Sequence, residues 1–266
     1  AFERMGLESA LRRALERDEL RLVYQPIFDA RGGAVVSVEA LVRWAHPERG
    51  LLSPIQFIGV AEDTGLIVPL GEWVLGAACR QLGRWRALGF RDLRIAVNVS
   101  VGQFRGPGFS NTLARIVETC GVPPTTIEIE ITESMLAEGP NVADLLHQTS
   151  ASGVQFSIDD FGIGYSSLSY LKRFPIDRLK IDQSFVRDIP GDAEDMAIAT
   201  AIIAMAHNLG IKVVAEGVET LDQLQFLKNQ GCDYVQGFYL SRPLDADSVT
   251  ALLQRGNRDW LASERR

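Results

Sequence analysis

The sequence predicts an α/β protein whose parallel strands close into one barrel, and two observations lead to that prediction. From residue 94 onward, short apolar runs with strand character alternate with helical segments of about ten residues or more. Helices of that length join strands through crossover connections, so consecutive strands run parallel. Eight strands in one uninterrupted series within 266 residues favour closure. An open sheet of two halves is the alternative.

The first part of the chain carries a lead-in helix and two strands before this alternation begins. Its predicted elements are a helix at 5–19, strands at 21–28 and 35–44, and helices at 54–63 and 69–88. Leucines recur at helical spacing in the first helix, and Pro54 marks a helix start. Pro26 lies in the first strand. Because proline cannot donate to a sheet ladder, we expect that strand to be short or to lie against an edge.

The alternating part of the chain ends most of its helices at a glycine, the usual residue after a helix C-terminus. The predicted strands are 94–100, 126–134, 154–160, 178–182, 212–218 and 234–240, and the predicted helices are 109–120, 142–152, 168–174, 194–209, 221–230 and 246–254. We expect residues 1–19 to be the lead-in helix at the end of an upstream linker, 20–256 to be the barrel and 257–266 to be a C-terminal tail.

Composition and charge exclude several classes of partner. A net charge of −7 repels nucleic-acid polymers and anionic lipid, so we expect neither as a ligand.

The three cysteines are scattered in apolar segments, which indicates reduced core thiols. The sequence has no signal-peptide pattern and no apolar run long enough to span a membrane. We therefore expect a cytoplasmic protein, or the cytoplasmic part of a larger membrane-anchored one.

Polar residues lie toward the C-terminal part of seven predicted strands. They are Glu39, Asn98, Glu130, Asp159, Lys180, Glu216 and Gln236. In a barrel these strand ends converge on one mouth, where such proteins build their sites. Taken singly, each has an ordinary structural explanation, such as a turn-forming role for Asn98. Seven together predict a functional site.

Two adjacent carboxylates, Asp159 and Asp160, stand where the strand at 154–160 meets a glycine-rich turn. Neighbouring residues of a strand face opposite sides, so both carboxylates reach one site only if the strand ends there. Gly162 and Gly164 permit such an ending. Carboxylates this close repel each other unless a positive charge lies between them, which indicates a divalent cation.

The candidate metal ligands are all oxygen donors. They are Glu39, Asn98, Glu130 and Asp159 for a first ion, and Asp159, Asp160 and Glu216 for a second. Mg²⁺ and Mn²⁺ prefer such ligands, whereas zinc is disfavoured because no histidine or cysteine accompanies them. Two ions together suit a phosphoryl displacement, in which they hold the attacking and the leaving oxygen.

Three further side chains complete the predicted chemistry. Arg43 offers a guanidinium fork to a phosphate. Lys180 is suited to orient the attacking water or to offset charge on the phosphorane. Either Lys180 or Glu216 takes the proton of the water, and the sequence leaves the two alternatives open.

Seven segments, in this order, resemble the bacterial EAL-domain family. They are Val38–Trp44, Asn98–Ser100, Glu128–Ser134, Asp159–Ser167, Leu179–Asp182, Ala215–Thr220 and Gln236–Gly237. The resemblance covers Leu20 to Leu244. It implies a modified TIM (β/α)8 barrel whose first strand is antiparallel to the others. It also implies metal-dependent hydrolysis of the second messenger cyclic di-GMP to linear pGpG.

The resemblance implies roles for single residues and partners for the chain. It assigns the metal ligands named above, Lys180 as the catalytic lysine, and Gln25, Leu41, Arg43 and Gln236 as guanine and phosphate contacts. Glu133 would anchor the glycine-rich loop, in which Ile163 stands where the family often has threonine. The family further implies two Mg²⁺ or Mn²⁺ ions per site, a homodimer, and fusion to upstream sensory or GGDEF-type domains.

Two alternatives to a phosphodiesterase stay open at this point. A catalytically silent receptor would keep the cyclic di-GMP contacts without cleaving the ligand. A metal-assisted barrel enzyme of the enolase type also places acidic ligands and a lysine on successive strand ends. The adjacent Asp159 and Asp160 and the nearby Arg43 argue against the enolase type, which needs neither feature.

Overall fold

Nine strands form the sheet within residues 2–106, 108–136, 140–164 and 171–256, the part of the chain that the computed structural model describes. They are β1 (Leu20–Asp29), β2 (Val35–His46), β3 (Gly50–Leu52), β4 (Arg94–Asn98), β5 (Ile127–Thr132), β6 (Gln155–Phe161), β7 (Arg178–Ile181), β8 (Lys212–Ala215) and β9 (Tyr234–Val235). Their order is β1-β9-β8-β7-β6-β5-β4-β2-β3, and β1 also pairs with β2. Eight strands thus close into a barrel. The short strand β3 lies outside it and pairs antiparallel with the end of β2 as a hairpin.

The direction of the strands confirms the predicted modified TIM barrel. β1 is antiparallel to both of its neighbours, β2 and β9. The other neighbouring barrel strands, from β2 through β4 to β9, pair in parallel. The C-terminal ends of the parallel strands therefore meet at one mouth.

Helices surround the barrel, and two short ones, at 101–104 and 133–136, were not predicted from the sequence. In the described residues the helices are α1 (Phe2–Glu16), α2 (Ile58–Asp63), α3 (Ile67–Ala87), α4 (Val101–Phe104), α5 (Phe109–Cys120), α6 (Glu133–Leu136), α7 (Pro140–Ser150), α8 (Ala193–Asn208), α9 (Leu221–Asn229) and α10 (Ala246–Arg255). The helix predicted at 54–63 is divided, because Pro54–Gln56 forms a 3₁₀ turn before α2. The tail predicted at 257–266 and residues 168–170 of the helix predicted at 168–174 lie outside the described residues; in the rest of that predicted helix only Leu171 is helical, and 172–174 form a turn and a bend.

None of the described helices combines the length and the apolar character that crossing a bilayer requires.

The expectation for the first strand is wrong, because Pro26 lies inside a ten-residue strand that has a neighbour on each side. The backbone N–H of Tyr24 points away from β2 and donates to the carbonyl of Leu244 at 2.7 Å. Residues two apart on a strand direct their N–H groups to the same side. The nitrogen of Pro26 therefore faces away from β2, at a point between the Tyr24–Leu244 contact and the Phe28–Val235 pair. No backbone hydrogen bond to β1 is described at that point, so the N–H group that proline lacks is not needed there.

Alternation along the strands separates the apolar shell from the polar interior of the barrel. In β5, Ile127, Ile129 and Ile131 are buried on the side that packs against the helices. Glu128 and Glu130 alternate with them, are 1% exposed, and contact residues of β7, a strand that does not neighbour β5. Their side chains therefore point into the barrel, and the mouth receives the carboxylate of Glu130.

Gly237 follows β9, at a point where the backbone passes close to Val218. A Cβ at this position would lie 2.1 Å from the Val218 carbonyl oxygen and 2.3 Å from its nitrogen. Because backbone atoms cannot rotate away, we expect Gly237→Ala to lower the free energy of unfolding by about 2 kcal/mol. Urea unfolding measures the change. Gly59→Ala in α2 is the matched control, since a Cβ there meets nothing within 4 Å. Equal stability of the two variants would contradict the expectation.

Candidate active site

Lys180 is the residue around which the polar side chains of the barrel mouth are arranged. Its side chain is 1% exposed, and its Nζ lies 2.8 Å from Glu216, 3.1 Å from Glu130, 3.1 Å from Asp159 and 3.6 Å from Glu39. These carboxylates come from β2, β5, β6 and the residue after β8. The fold thus gathers four of the predicted site residues around the ammonium of a fifth, Lys180.

Two amides fix the carboxylate of Glu39 in this cluster. Asn98 donates from Nδ2 to Glu39 Oε1 at 2.7 Å, and Gln236 donates from Nε2 to Glu39 Oε2 at 2.8 Å. Glu130 differs, because neither of its buried oxygens accepts a hydrogen bond from the described residues. Its Oε1 faces Lys180, and its Oε2 is left for another positive partner.

The cluster holds more negative than positive charge, since Lys180 is the one cation of the described residues that forms ion pairs with it. Burial, followed by the nearby Glu39, raises the pKa of Glu130 well above its ordinary value. Burial, together with Asp159 and Glu39, raises the pKa of Glu216 to about 8. Burial opposes the charge on Lys180, but the surrounding carboxylates raise its pKa well above the ordinary value. The site is therefore short of positive charge.

Asp160 reaches the cluster through an unusual backbone conformation. Its φ of 54° is in the left-handed region, which residues other than glycine seldom adopt. This turn brings the carboxylate oxygens of Asp159, Asp160 and Glu216 within 4.8 Å of one another. Two neighbouring residues, which a regular strand would direct to opposite faces, thereby share one site.

Two side chains hold the loop that follows Asp160. Glu133, at the start of α6 and 6% exposed, accepts hydrogen bonds at its Oε2 from the N–H groups of Gly162 at 2.8 Å and Gly164 at 3.3 Å. The ring of Phe185 packs so closely against Gly162 that a Cβ there would lie 2.7 Å from the ring. These contacts join the loop to α6 and to the segment after β7. Residues 165–170 of the loop region lie outside the described residues.

Two grooves flank the cluster and meet at Leu41. The first, of about 270 Å³, is lined by Gln25, Gln236 and acidic residues of the cluster. The second, of about 320 Å³, is lined mainly by apolar side chains of α2 and α3 and reaches Asn98. Arg43 follows Leu41 on the same face of β2, but it does not line either groove and donates to the carbonyl of Val42 at 2.8 Å.

Asp182 and Glu219 also line the first groove, although neither is among the site residues predicted from the sequence. Asp182 is 7% exposed and, after burial and Asp159, is a further cause of the raised pKa of Asp160, so the two carboxyls face each other. Alternation along β7 gives a signal for Asp182, because it lies two residues beyond Lys180 and shares its side of the strand. Glu219 follows the end of β8 by four residues, where no strand pattern applies.

The donor set fits a hard divalent cation. It consists of carboxylate and amide oxygens without histidine or cysteine, the combination that suits Mg²⁺ or Mn²⁺. The buried Oε2 of Glu130 has no hydrogen-bond partner among the described residues, and the clustered carboxyls of Asp159, Asp160 and Glu216 outnumber the one ammonium, Lys180, that pairs with them, so such an ion would add the missing positive charge.

The profile of the EAL domain family matches residues 8–243. Two similar relatives come from Pseudomonas aeruginosa. The bifunctional diguanylate cyclase/cyclic di-GMP phosphodiesterase MucR is 46% identical over 252 residues, which are 94% of this chain and 37% of the relative. The cyclic di-GMP phosphodiesterase NbdA is 46% identical over 255 residues, which are 96% of this chain and 33% of the relative. The chain thus spans about a third of the length of these curated relatives.

Solved structures share the fold. A c-di-GMP complex of the PaMucR phosphodiesterase superimposes with a TM-score of 0.89 at 46% identity and covers 92% of this chain and 99% of its own. The EAL enzyme Bd1971, bound to cAMP and cyclic di-GMP, superimposes with a TM-score of 0.90 at 33% identity over 95% of this chain and 69% of its own.

Replacement of Lys180 tests the charge balance of the cluster. Lys180→Met keeps the volume of the side chain but leaves the buried carboxylates without their ammonium partner. We expect a loss of about 3 kcal/mol in the free energy of unfolding in EDTA, because a broken buried pair leaves uncompensated charge. We expect Mg²⁺ to restore part of this loss. Lys172→Met, at an exposed position, is the control. Equal stability of both variants in EDTA would contradict the role given to Lys180.

Proposed function

Because the chain belongs to the EAL domain family, we propose that it is a metal-dependent phosphodiesterase that hydrolyses cyclic di-GMP to linear pGpG. The observation that carries the proposal is the cluster of carboxylates around the buried Lys180 at the barrel mouth. A phosphodiester is itself negatively charged, so this cluster accepts it only together with added cations. The donor types in the cluster are those of a divalent-ion site for phosphoryl displacement.

Two Mg²⁺ or Mn²⁺ ions are proposed as cofactors. Glu39, Asn98, Glu130 and Asp159 would hold the first, and Asp159, Asp160 and Glu216 the second. When bound, such ions offset the charge of the phosphodiester and lower the pKa of the attacking water. The amide of Gln236, which donates to Glu39, would keep one ligand of the first ion in place.

The residues of the chain itself bind the substrate and move the proton. The carboxylate of Glu216 would accept the proton of the attacking water, and the ammonium of Lys180, whose Nζ lies 2.8 Å from Glu216 Oε1, would stay protonated and offset the negative charge that develops on the phosphate. Arg43 supplies positive charge beside the phosphates once it turns from the carbonyl of Val42.

The two grooves support a substrate with two bases. They share Leu41, and each is lined by residues of the acidic cluster, so the middle of a ligand that fills both would lie against the cluster. A cyclic dinucleotide has this form, because its two phosphodiesters lie between two guanosines. Gln25 and Gln236 would contact one guanine in the polar groove, and Leu41 would pack between the two halves of the ligand.

The chain spans about a third of the relatives it matches, so we propose that it acts as the phosphodiesterase part of a larger protein with upstream sensory or GGDEF-type domains. The acidic net charge fits a small phosphate ligand that is held by local ions and does not suit a nucleic-acid polymer. A homodimer and a cytoplasmic location are part of the same proposal.

Incubation of the purified protein with cyclic di-GMP tests the reaction directly. With Mg²⁺ or Mn²⁺ we expect linear pGpG, and with EDTA no product, because the carboxylates then lack the cations that admit the phosphodiester. Chromatography separates the nucleotides. Glu39→Ala, which removes a ligand held by Asn98 and Gln236, is the inactive control. Tight binding of cyclic di-GMP without product in either metal would contradict the proposal and favour a silent receptor.

The contacts of Glu133 with the loop give a second test. Glu133→Ala removes the acceptor of the Gly162 and Gly164 N–H groups and so releases the loop that follows Asp160. We expect lower turnover and roughly tenfold more Mg²⁺ at half-maximal activity, because a group that orients a metal ligand affects the affinity for the metal. Glu118→Ala, at an exposed position of α5, is the control. A Mg²⁺ curve that superimposes on that of the wild type would remove the anchoring role.

A further inference from the structure

A second polar layer lies inside the barrel beneath the acidic cluster. Its centre is Arg178, which is 2% exposed. The Nη1 of Arg178 lies 3.0 Å from Glu128 Oε2 and donates to Ser37 Oγ at 3.0 Å. The guanidinium carbon also lies 4.5 Å from the centre of the Tyr234 ring. One guanidinium group thus contacts side chains of three other strands.

Each member of this layer stands two residues before a predicted site residue on the same strand. The pairs are Ser37 and Glu39 on β2, Glu128 and Glu130 on β5, Arg178 and Lys180 on β7, and Tyr234 at the start of β9 with Gln236 just after it. Residues two apart on a strand face the same side. The layer therefore lies directly below the cluster.

The four strands also alternate around the barrel. β2, β5, β7 and β9 are separated from one another by β4, β6, β8 and β1. Alternate strands build the interior layers of such barrels, usually with branched aliphatic side chains. Here one layer is polar and is held together by an ion pair, a hydrogen bond and a ring contact of a single arginine.

We propose that Arg178 is a positioning residue that fixes, from below, the spacing of Glu39, Glu130, Lys180 and Gln236; its effect on turnover rests on the proposed function. The ammonium of Lys180 and the carboxyl of Glu130 are held among their neighbours by ion pairs, which have little directional preference. Their placement therefore depends on the strands that carry them. Arg178 joins those strands across the interior, where no backbone ladder connects them.

The choice of side chains supports a positioning role. A buried ion pair contributes little stability compared with apolar packing of the same volume. What it adds is direction, because the planar guanidinium makes several contacts in a fixed geometry, whereas aliphatic side chains pack without such a constraint. The contact of Arg178 with Glu128 also prevents an unpaired carboxylate below Glu130.

The test removes the charges of the pair together, so that neither is left buried alone. We expect the double variant Arg178→Met, Glu128→Gln to fold, to show kcat at least about tenfold lower with KM for cyclic di-GMP within about twofold, and to bind Mn²⁺ at least about tenfold more weakly. Isothermal titration of the metal-free protein with Mn²⁺ measures the binding. Arg178→Lys, which keeps the charge but lacks the fork, should recover part of both losses.

Thr250→Val is the matched control, since it removes a hydroxyl that lies outside the barrel, where it accepts from Trp85 Nε1 of α3 at 2.9 Å and donates to the carbonyl of Ala246 within α10 at 2.8 Å. We expect its kcat and Mn²⁺ affinity to equal those of the wild type. Wild-type kcat and Mn²⁺ affinity in the double variant would overturn the inference, as would equal losses in Thr250→Val. If the double variant does not fold, Arg178→Lys decides by the same measurements.

The Mn²⁺ titration also separates this inference from the proposed function. If the wild-type protein leaves cyclic di-GMP intact, the proposed reaction fails. Weaker Mn²⁺ binding by the double variant would still support the positioning role, and unchanged binding would overturn it.

Discussion

The burial of one ammonium group among carboxylates is the constraint on which the rest of the structure depends. Lys180 is 1% exposed, and an ion in such a place is tolerated only when opposite charges surround it. Its partners come from β2, β5, β6 and the end of β8. In the alternative, an open sheet of two halves, β2 and β8 would lie at distant positions along the sheet. Closure of the barrel is what brings their carboxylates to one ammonium, so the fold class and the site have the same physical origin.

Stability and function are divided between the two sides of the strands. Apolar side chains such as Ile127 and Ile129 pack outward under the helices, where removal from water stabilises the fold. The inward positions of the same strand carry Glu128 and Glu130, whose burial costs free energy that their ion pairs only partly offset. The apolar shell therefore supports an interior that is arranged for charge placement.

The sequence predicted the barrel because strands and helices alternate along the chain, and it predicted the members of the cluster because most of them lie near the C-terminal ends of the predicted strands. Sequence-based prediction failed where the outcome depends on the side of a strand that a backbone N–H group faces, or on contacts between strands that are not neighbours. The error at Pro26 arose because the sequence does not tell which side of β1 an N–H group faces. Arg178 was missed because its partners Glu128 and Ser37 lie on strands that do not neighbour β7. The C-terminal ends of several strands were also predicted too late. The strand predicted at 212–218, for example, stops at Ala215.

The two candidate ion sites differ in what holds them. The carboxylates of Glu39 and Glu130 project from strands that are fixed by ladders on both sides and by the layer beneath. Asp160 instead occupies a left-handed turn, a conformation with an intrinsic cost for a residue with a Cβ. That cost is offset by contacts from outside the strand, from Glu133 to the loop amides and from Phe185 to Gly162. A movement of α6 or of the segment after β7 would therefore change the second site and leave the first intact, so the second site is the one through which the surroundings of the barrel can control its chemistry.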